Sequence, residues 1–146
     1  MTSFWIFVFS EYTDFSIGTA KRLFARVEKN GKWYIGPKTP NRKRIRKGDK
    51  VIFYQAGEGG RKFVGNATLS TSLQPPEEKD LFSFVIVSEV CVWSEPLLIS
   101  EIGKKLFFVK YNNPSRYYFQ IGIRRISEDD YLTIMRCRKK YRVYIR

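Results

Sequence analysis

The chain contains no histidine. That removes the commonest general acid–base side chain and the usual partner of a nucleophilic serine or cysteine, so enzymatic readings lose much of their support. Only two cysteines are present, Cys91 and Cys137, 46 residues apart, and without histidine they offer no closely spaced set of zinc ligands. They read as small hydrophobic packing groups. No apolar run approaches the roughly 18 to 20 residues of a membrane span. The run from Phe4 to Phe9 is too short for a secretory leader and lacks its basic flank. A cytoplasmic protein is therefore expected. No internal repeat or low-complexity tract interrupts the 146 residues, which implies a single domain over residues 1–146, with 136–146 as a basic C-terminal extension.

Acid is scarce as well, with 14 acidic against 27 basic residues and a formal net charge of +13. The excess is concentrated in two places. Between Lys38 and Lys50 stand seven lysines or arginines against Asp49 alone, and between Arg136 and Arg146 stand six more with no acid. Clustering of this kind suits a polyanionic partner. The alternative is a solvated face, or the charge-rich surface of a thermophilic protein.

The remaining pattern is that of a mixed fold. Phe4–Phe9 is continuously apolar, as in a strand covered on both faces. Asp14 or Ser16 can cap a helix carrying Ile17, Ala20, Leu23, Phe24 and Val27, which Asn30-Gly31 ends. Lys32 to Ile35 is a brief apolar segment. The block Lys47-Gly48-Asp49-Lys50-Val51-Ile52-Phe53-Tyr54 and its return Phe63-Val64-Gly65-Asn66-Ala67 make a central hairpin, turned by Gly57 to Gly60. That Gly-rich turn lacks the spacing and following helix of a phosphate-binding loop. Phe82 to Trp93 has strand character, with Val90 and Val92 facing away from Glu89, Cys91 and Trp93. Pro96 suits the start of a short helix from Leu97 to Ile102. Tyr117 to Ile123 reads as a last strand or an extended segment. Ser127 with Asp130 resembles a capping box that opens a helix carrying Tyr131, Ile134 and Met135. The tail beyond Arg138 alternates polar and apolar, as an edge strand or an ordered arm does. Trp5 and Trp93 lie in apolar runs and are expected in the core.

With these elements placed, the chain resembles the EVE domains, small members of the PUA-like superfamily related to YTH domains. The resemblance rests on Phe4-Trp5-Ile6, on Trp33 after the first helix, on the central hairpin block, and on Phe119 through Arg124 to Ile126-Ser127-Glu128-Asp129-Asp130-Tyr131. It implies an α+β fold, a PUA-like β-barrel of about five to six strands flanked by short helices. It also implies a reader of modified bases, in which an extruded base such as N6-methyladenine or a 5-substituted cytosine enters an aromatic cage. By the same resemblance Trp33 forms one cage wall, Ser10, Glu11 and Tyr12 contact the base edge, and Phe82 or Leu81 supplies another wall. Phe24, from a longer first helix, is an alternative to Trp33, and Tyr34 follows the cage position directly. Glu11 or Asp14 can accept from an exocyclic amine, and Ser10 or Tyr12 can donate to a ring nitrogen. Lys38, Arg42, Lys43, Arg44, Arg46 and Lys47 would hold the flanking phosphates, with Ile45 packed inward.

The expected function is thus a non-enzymatic nucleic-acid-binding domain needing no cofactor or metal and no membrane. DNA stands ahead of RNA as its ligand, and a restriction or RNA-modification system is its setting. The alternative is a PUA-like RNA-binding module without modification preference. An enzyme acting on a nucleobase, with Asp14, Glu11 or Asp49 as acid–base groups, and a protein-interaction domain of a defence complex are the readings from other classes.

Overall fold

The computed structural model describes residues 1–9, 31–56, 61–77, 82–110, 122–138 and 140–144, with only the backbone of Lys110 and of 140–144. The helix expected within residues 14–29 and the turn at 57–60 lie outside them. Seven strands are described: β1 (Phe4–Phe9), β2 (Lys32–Ile35), β3 (Lys50–Gln55), β4 (Lys62–Leu69), β5 (Ser83–Leu98), β6 (Ile123–Ile126) and β7 (Lys140–Tyr144). Three short helices accompany them: α1 (Ile99–Ile102), α2 (Phe107–Lys110) and α3 (Glu128–Cys137). Six strands follow one path in the order β2-β5-β4-β3-β1-β6, and β7 adds to β5 beside it.

The curled sheet has two apolar faces. Along β1 the side chains alternate. Trp5, Phe7 and Phe9 join Trp33, Ile35, Val51, Phe53, Ala67, Val85, Val87 and Ile123 in one buried cluster drawn from all six strands of the path. This is the interior of an α+β half-barrel. Ile6 points the other way and meets Ile52, Tyr54, Phe63, Trp93 and Leu97, which are covered by Ile102, Leu106 and Ile134 of the helical segments. Burial on both sides is why Phe4–Phe9 carries no polar residue. β1 runs parallel to β3, from Phe4 opposite Lys50 to Phe9 opposite Gln55, and antiparallel to β6. The central hairpin has the expected partners, Val51 opposite Ala67 and Phe53 opposite Gly65.

Two local expectations are corrected. Pro96 does not open a helix: β5 continues to Leu98, held by Phe63 opposite Leu97 and Lys62 opposite Leu98, and α1 begins at Ile99. The pairing to β4 is irregular between Val92 and Leu97, and a proline without an N–H is tolerated where the ladder is already broken. A core strand is described at Ile123–Ile126, and of the expected Tyr117–Ile123 residues 117–121 lie outside the described set. Ser127 does cap α3, accepting from the Asp130 N–H at 3.1 Å, but the Asp130 carboxylate does not return to the cap. It accepts instead from the Phe107 and Phe108 amides, at 2.8 and 3.2 Å, and so caps α2 from a different helix.

The alternation expected around Trp93 holds through an irregularity. Val90 and Val92 face the barrel interior, while Cys91 and Trp93 face the helices. Glu89 takes φ 51° where the β4–β5 register shifts, and the inward-facing side chains change there from the odd-numbered Val85 and Val87 to the even-numbered Val90 and Val92. β2 pairs with the N-terminal part of β5 and β7 with its later part, so the segment Lys140–Tyr144 is a strand of the fold.

Candidate nucleic-acid interface

Among the described residues β2 and β6 are the two ends of the sheet path and are not paired to one another, and the basic segment leads from the first to a contact with the second. It leaves β2 through a turn in which the Thr39 N–H donates to the Gly36 carbonyl at 3.1 Å. The Asn41 side-chain amide then donates to the Ile123 carbonyl of β6 at 2.9 Å, while Asn41 itself holds φ 69°. Beside this contact Gly122 leaves room for Thr39: a Cβ there would stand 3.1 Å from the Thr39 methyl. The left-handed conformation at Asn41 is one that Asn tolerates better than most side chains. A second turn closes with the Arg44 N–H on the Asn41 carbonyl at 2.9 Å. Ile45, as expected, is fully buried in the barrel interior and pins the middle of the loop.

The loop ends on Gly48-Asp49. Gly48 has φ 91° with open space around it, so conformation rather than crowding demands glycine. Asp49 is 2% exposed, and its carboxylate collects three donors. Oδ1 accepts from the Ser3 N–H at 3.0 Å, and Oδ2 accepts from the Trp5 indole at 2.8 Å and the Arg46 N–H at 2.9 Å. The loop's single acid therefore ties together the start of β1, a core tryptophan and the loop backbone. A second core polar group acts similarly, since Asn66 Oδ1 accepts from the Trp93 indole at 2.9 Å. Neither anchor was apparent from sequence, where Asp49 and Asn66 look like ordinary turn and strand residues.

On this frame Lys38, Lys43, Arg44, Arg46 and Lys47 are exposed and Arg42 is half-buried. They do not all stand alike. Arg42 donates to the Thr39 carbonyl at 3.1 Å, and Arg46 donates to the carbonyls of Lys43 and Ile45 at 2.6 and 3.0 Å. Arg44 touches the Asn41 side chain at 3.4 Å, a long and exposed contact.

Trp33 lies inside the curl and is 4% exposed. Its ring sits 4.4 Å from that of Phe53, 5.8 Å from Phe9 and 6.1 Å from Phe7. Strand alternation sends Tyr34 to the opposite face, beside Phe84, whose ring also carries the Lys32 ammonium at 4.7 Å; Lys32 in turn pairs with Glu77. Phe82 is half-buried and stands over Gly36 at the end of β2. Ser10, Glu11, Tyr12, Asp14, Phe24 and Leu81 are outside the described residues. Among the described residues no group of three or more Cys, Asp or Glu could hold a metal ion, and no helix is long and apolar enough to cross a membrane. Burial pushes the Cys91 thiol above its ordinary range, so this cysteine is a packing group rather than a poised thiolate.

Known proteins agree with this architecture. No significant match to a curated protein sequence was found. Among solved structures, human THYN1 in complex with 5-methylcytosine containing DNA superposes with a TM-score of 0.68 at 14% identity, covering 95% of this chain and 99% of that one. Rpa0253 from Rhodopseudomonas palustris gives a TM-score of 0.65 at 13% identity, and Atu2648 from Agrobacterium tumefaciens 0.63 at 17%, each over 92% of both chains. These likenesses establish the fold. The sequence itself matches the family model of the EVE domain over residues 3–137, and the chain belongs to the EVE domain family.

Proposed function

We propose that this chain is a non-enzymatic nucleic-acid-binding domain that recognises a modified, flipped-out base, methylated DNA being the favoured ligand. The observation that carries the reading is the loop from Lys38 to Lys47, a row of exposed cations on a backbone strapped to both ends of the sheet. Such a loop offers phosphates a preorganised surface, and its contacts give affinity without sequence information. Family membership supports the reading, as does the shared fold of human THYN1, whose structure holds 5-methylcytosine containing DNA.

Base recognition falls to the neighbouring interior. Trp33 is the packed back wall, and Phe9, whose ring touches it, is the residue from which Ser10, Glu11 and Tyr12 depart, so base-edge contacts from that segment would begin beside the wall. Phe82 at the end of β2 is the second wall. Flipping a base from a duplex costs a few kcal/mol and stacking on one ring returns about 1 to 3, so the phosphate contacts must supply the remainder. A buried methyl adds about 0.8 kcal/mol, roughly fourfold in Kd.

The test is the affinity of the wild type and of Trp33→Phe for matched single- and double-stranded oligonucleotides carrying adenine, cytosine or their methylated forms, at two salt concentrations. One methylated form should bind roughly fourfold or more tightly, and Trp33→Phe should reduce that preference while leaving the salt dependence in place. Equal binding of all forms, with affinity simply collapsing as salt rises, would leave a general polyanion or RNA-binding module and refute the reader.

A further inference from the structure

The cations of the basic loop divide into two kinds, those available to a polyanion and those that hold the loop in shape. We infer that Arg46, together with the buried Asp49 carboxylate beneath it, is a positioning latch that presents Lys43, Arg44 and Lys47 to phosphates, rather than a phosphate ligand in its own right. This rests on the nucleic-acid reading proposed above.

Two observations meet at Arg46. Its guanidinium folds back onto its own loop, donating through Nη1 to the Lys43 carbonyl at 2.6 Å and the Ile45 carbonyl at 3.0 Å. Its backbone N–H donates at 2.9 Å to Asp49 Oδ2, the oxygen that also receives the Trp5 indole. The side chain therefore closes the loop above while the main chain is fastened to the core below. With Ile45 fully buried between, the bonds span Lys43 to Asp49 and leave the backbone little freedom. Lys43 and Lys47, on either side of the latch, are both exposed.

The Lys43 and Ile45 carbonyls take both N–H groups of Nη1, so a phosphate is left with Nε and Nη2 and cannot use the Nη1–Nη2 edge without breaking those bonds. Two carbonyl acceptors at short range hold one guanidinium nitrogen where a freely rotating ammonium is not so held, because the planar fork is rigid. Lysine at this position keeps the charge but not the fork. Arg46→Lys therefore separates the two roles.

The experiment measures the binding of a DNA duplex of fixed sequence, across a series of salt concentrations, for the wild type, Arg46→Ala, Arg46→Lys and Lys47→Ala. Loss of one phosphate contact lowers the slope of log affinity against log salt by about 1. Lys47→Ala should show that loss. Arg46→Ala and Arg46→Lys should both weaken binding, by about tenfold, as expected for losing a charge-assisted bond, with the slope unchanged. Trypsin under native conditions reads the loop without any ligand, and both Arg46 variants should be cut after Lys43 or Arg44 several-fold faster than the wild type. Asp49→Asn, which turns an amide toward one of its three donors, should also accelerate cleavage, provided circular dichroism shows it folded.

The latch is overturned if Arg46→Lys binds as the wild type does while Arg46→Ala loses about one unit of slope, for Arg46 is then itself a phosphate contact. Unchanged trypsin cleavage in both Arg46 variants overturns it too. A wild type that binds no duplex or single strand even at low salt defeats the nucleic-acid reading first, and this positioning role with it.

Discussion

Replacing Trp33 by alanine measures how much of the barrel interior this ring fills. The indole is 4% exposed and touches three aromatic rings, with Phe53 at 4.4 Å, Phe9 at 5.8 Å and Phe7 at 6.1 Å. Burying an aromatic side chain removes about 150 to 250 Å² from water, which at roughly 25 cal/mol per Å² is about 4 to 6 kcal/mol. Measured truncations of buried tryptophans run at about 3 to 5 kcal/mol, since the cavity partly relaxes. A loss of about 4 kcal/mol is therefore expected. In urea, with a slope of roughly 2 kcal/mol per molar, the midpoint should fall by about 2 M. Since a domain is held by only about 5 to 15 kcal/mol, Trp33→Ala is a poor reagent for binding experiments, and Trp33→Phe, which keeps a ring in place, is the better one. A midpoint shift below roughly 0.5 M, with an unchanged slope, would refute the packing argument, because a ring that costs under about 1 kcal/mol to delete is not filling a core.

Two further perturbations follow from buried or strained groups. Burial pushes the Tyr54 hydroxyl above its ordinary value of 10.0, against a smaller opposing effect of Arg61. Between the unfolded and folded values the unfolded chain has lost the proton and the native one has kept it, so stability is complete below pH ~10 and declines as pH rises above it. Tyr54→Phe should flatten that alkaline decline in thermal melts taken from pH 8 upward, and an unaltered decline would remove Tyr54 as its source. At Glu89, where φ is 51° on an exposed bulge, a β-branched residue is strained and glycine is not. Glu89→Val should be less stable than Glu89→Gly by about 1 kcal/mol or more in chemical denaturation, and the reverse order would show that the bulge relaxes.

Some of this molecule could be read directly because the information was local. The continuous apolar run Phe4–Phe9 announced a strand covered on both faces, the Gly48-Asp49 turn and the β-branched residues after it announced the hairpin, and the basic run around an isolated Ile45 announced a surface loop with one inward anchor. The charge imbalance and the absent histidines pointed toward binding a polyanion before any geometry was known. The misplacements arose where a residue's partner lay far along the chain. Pro96 has a strong local preference for a helix start, but β4 pairs beyond it and overrides that preference. Asp130 has the spacing of a capping box, yet its carboxylate is taken by the Phe107 and Phe108 amides of another helix.

What the sequence by itself determined was the inventory: a mixed α+β fold of the EVE type, its strand-forming runs, and the concentration of positive charge in the segment from Lys38 to Lys50. Periodicity and composition carry that much because they depend on neighbours a few residues apart. Only the tertiary structure decided how the inventory is used. It led the basic loop from β2 to a contact with β6, turned Asp49 from a candidate acid–base group into the buried anchor of Trp5 and Arg46, separated Trp33 from Tyr34 by the two faces of one strand, and distinguished cations that face outward from an arginine folded onto its own backbone. Each of these rests on hydrogen bonds or packing between residues that folding alone brings together, and no local pattern encodes which distant group will be the partner.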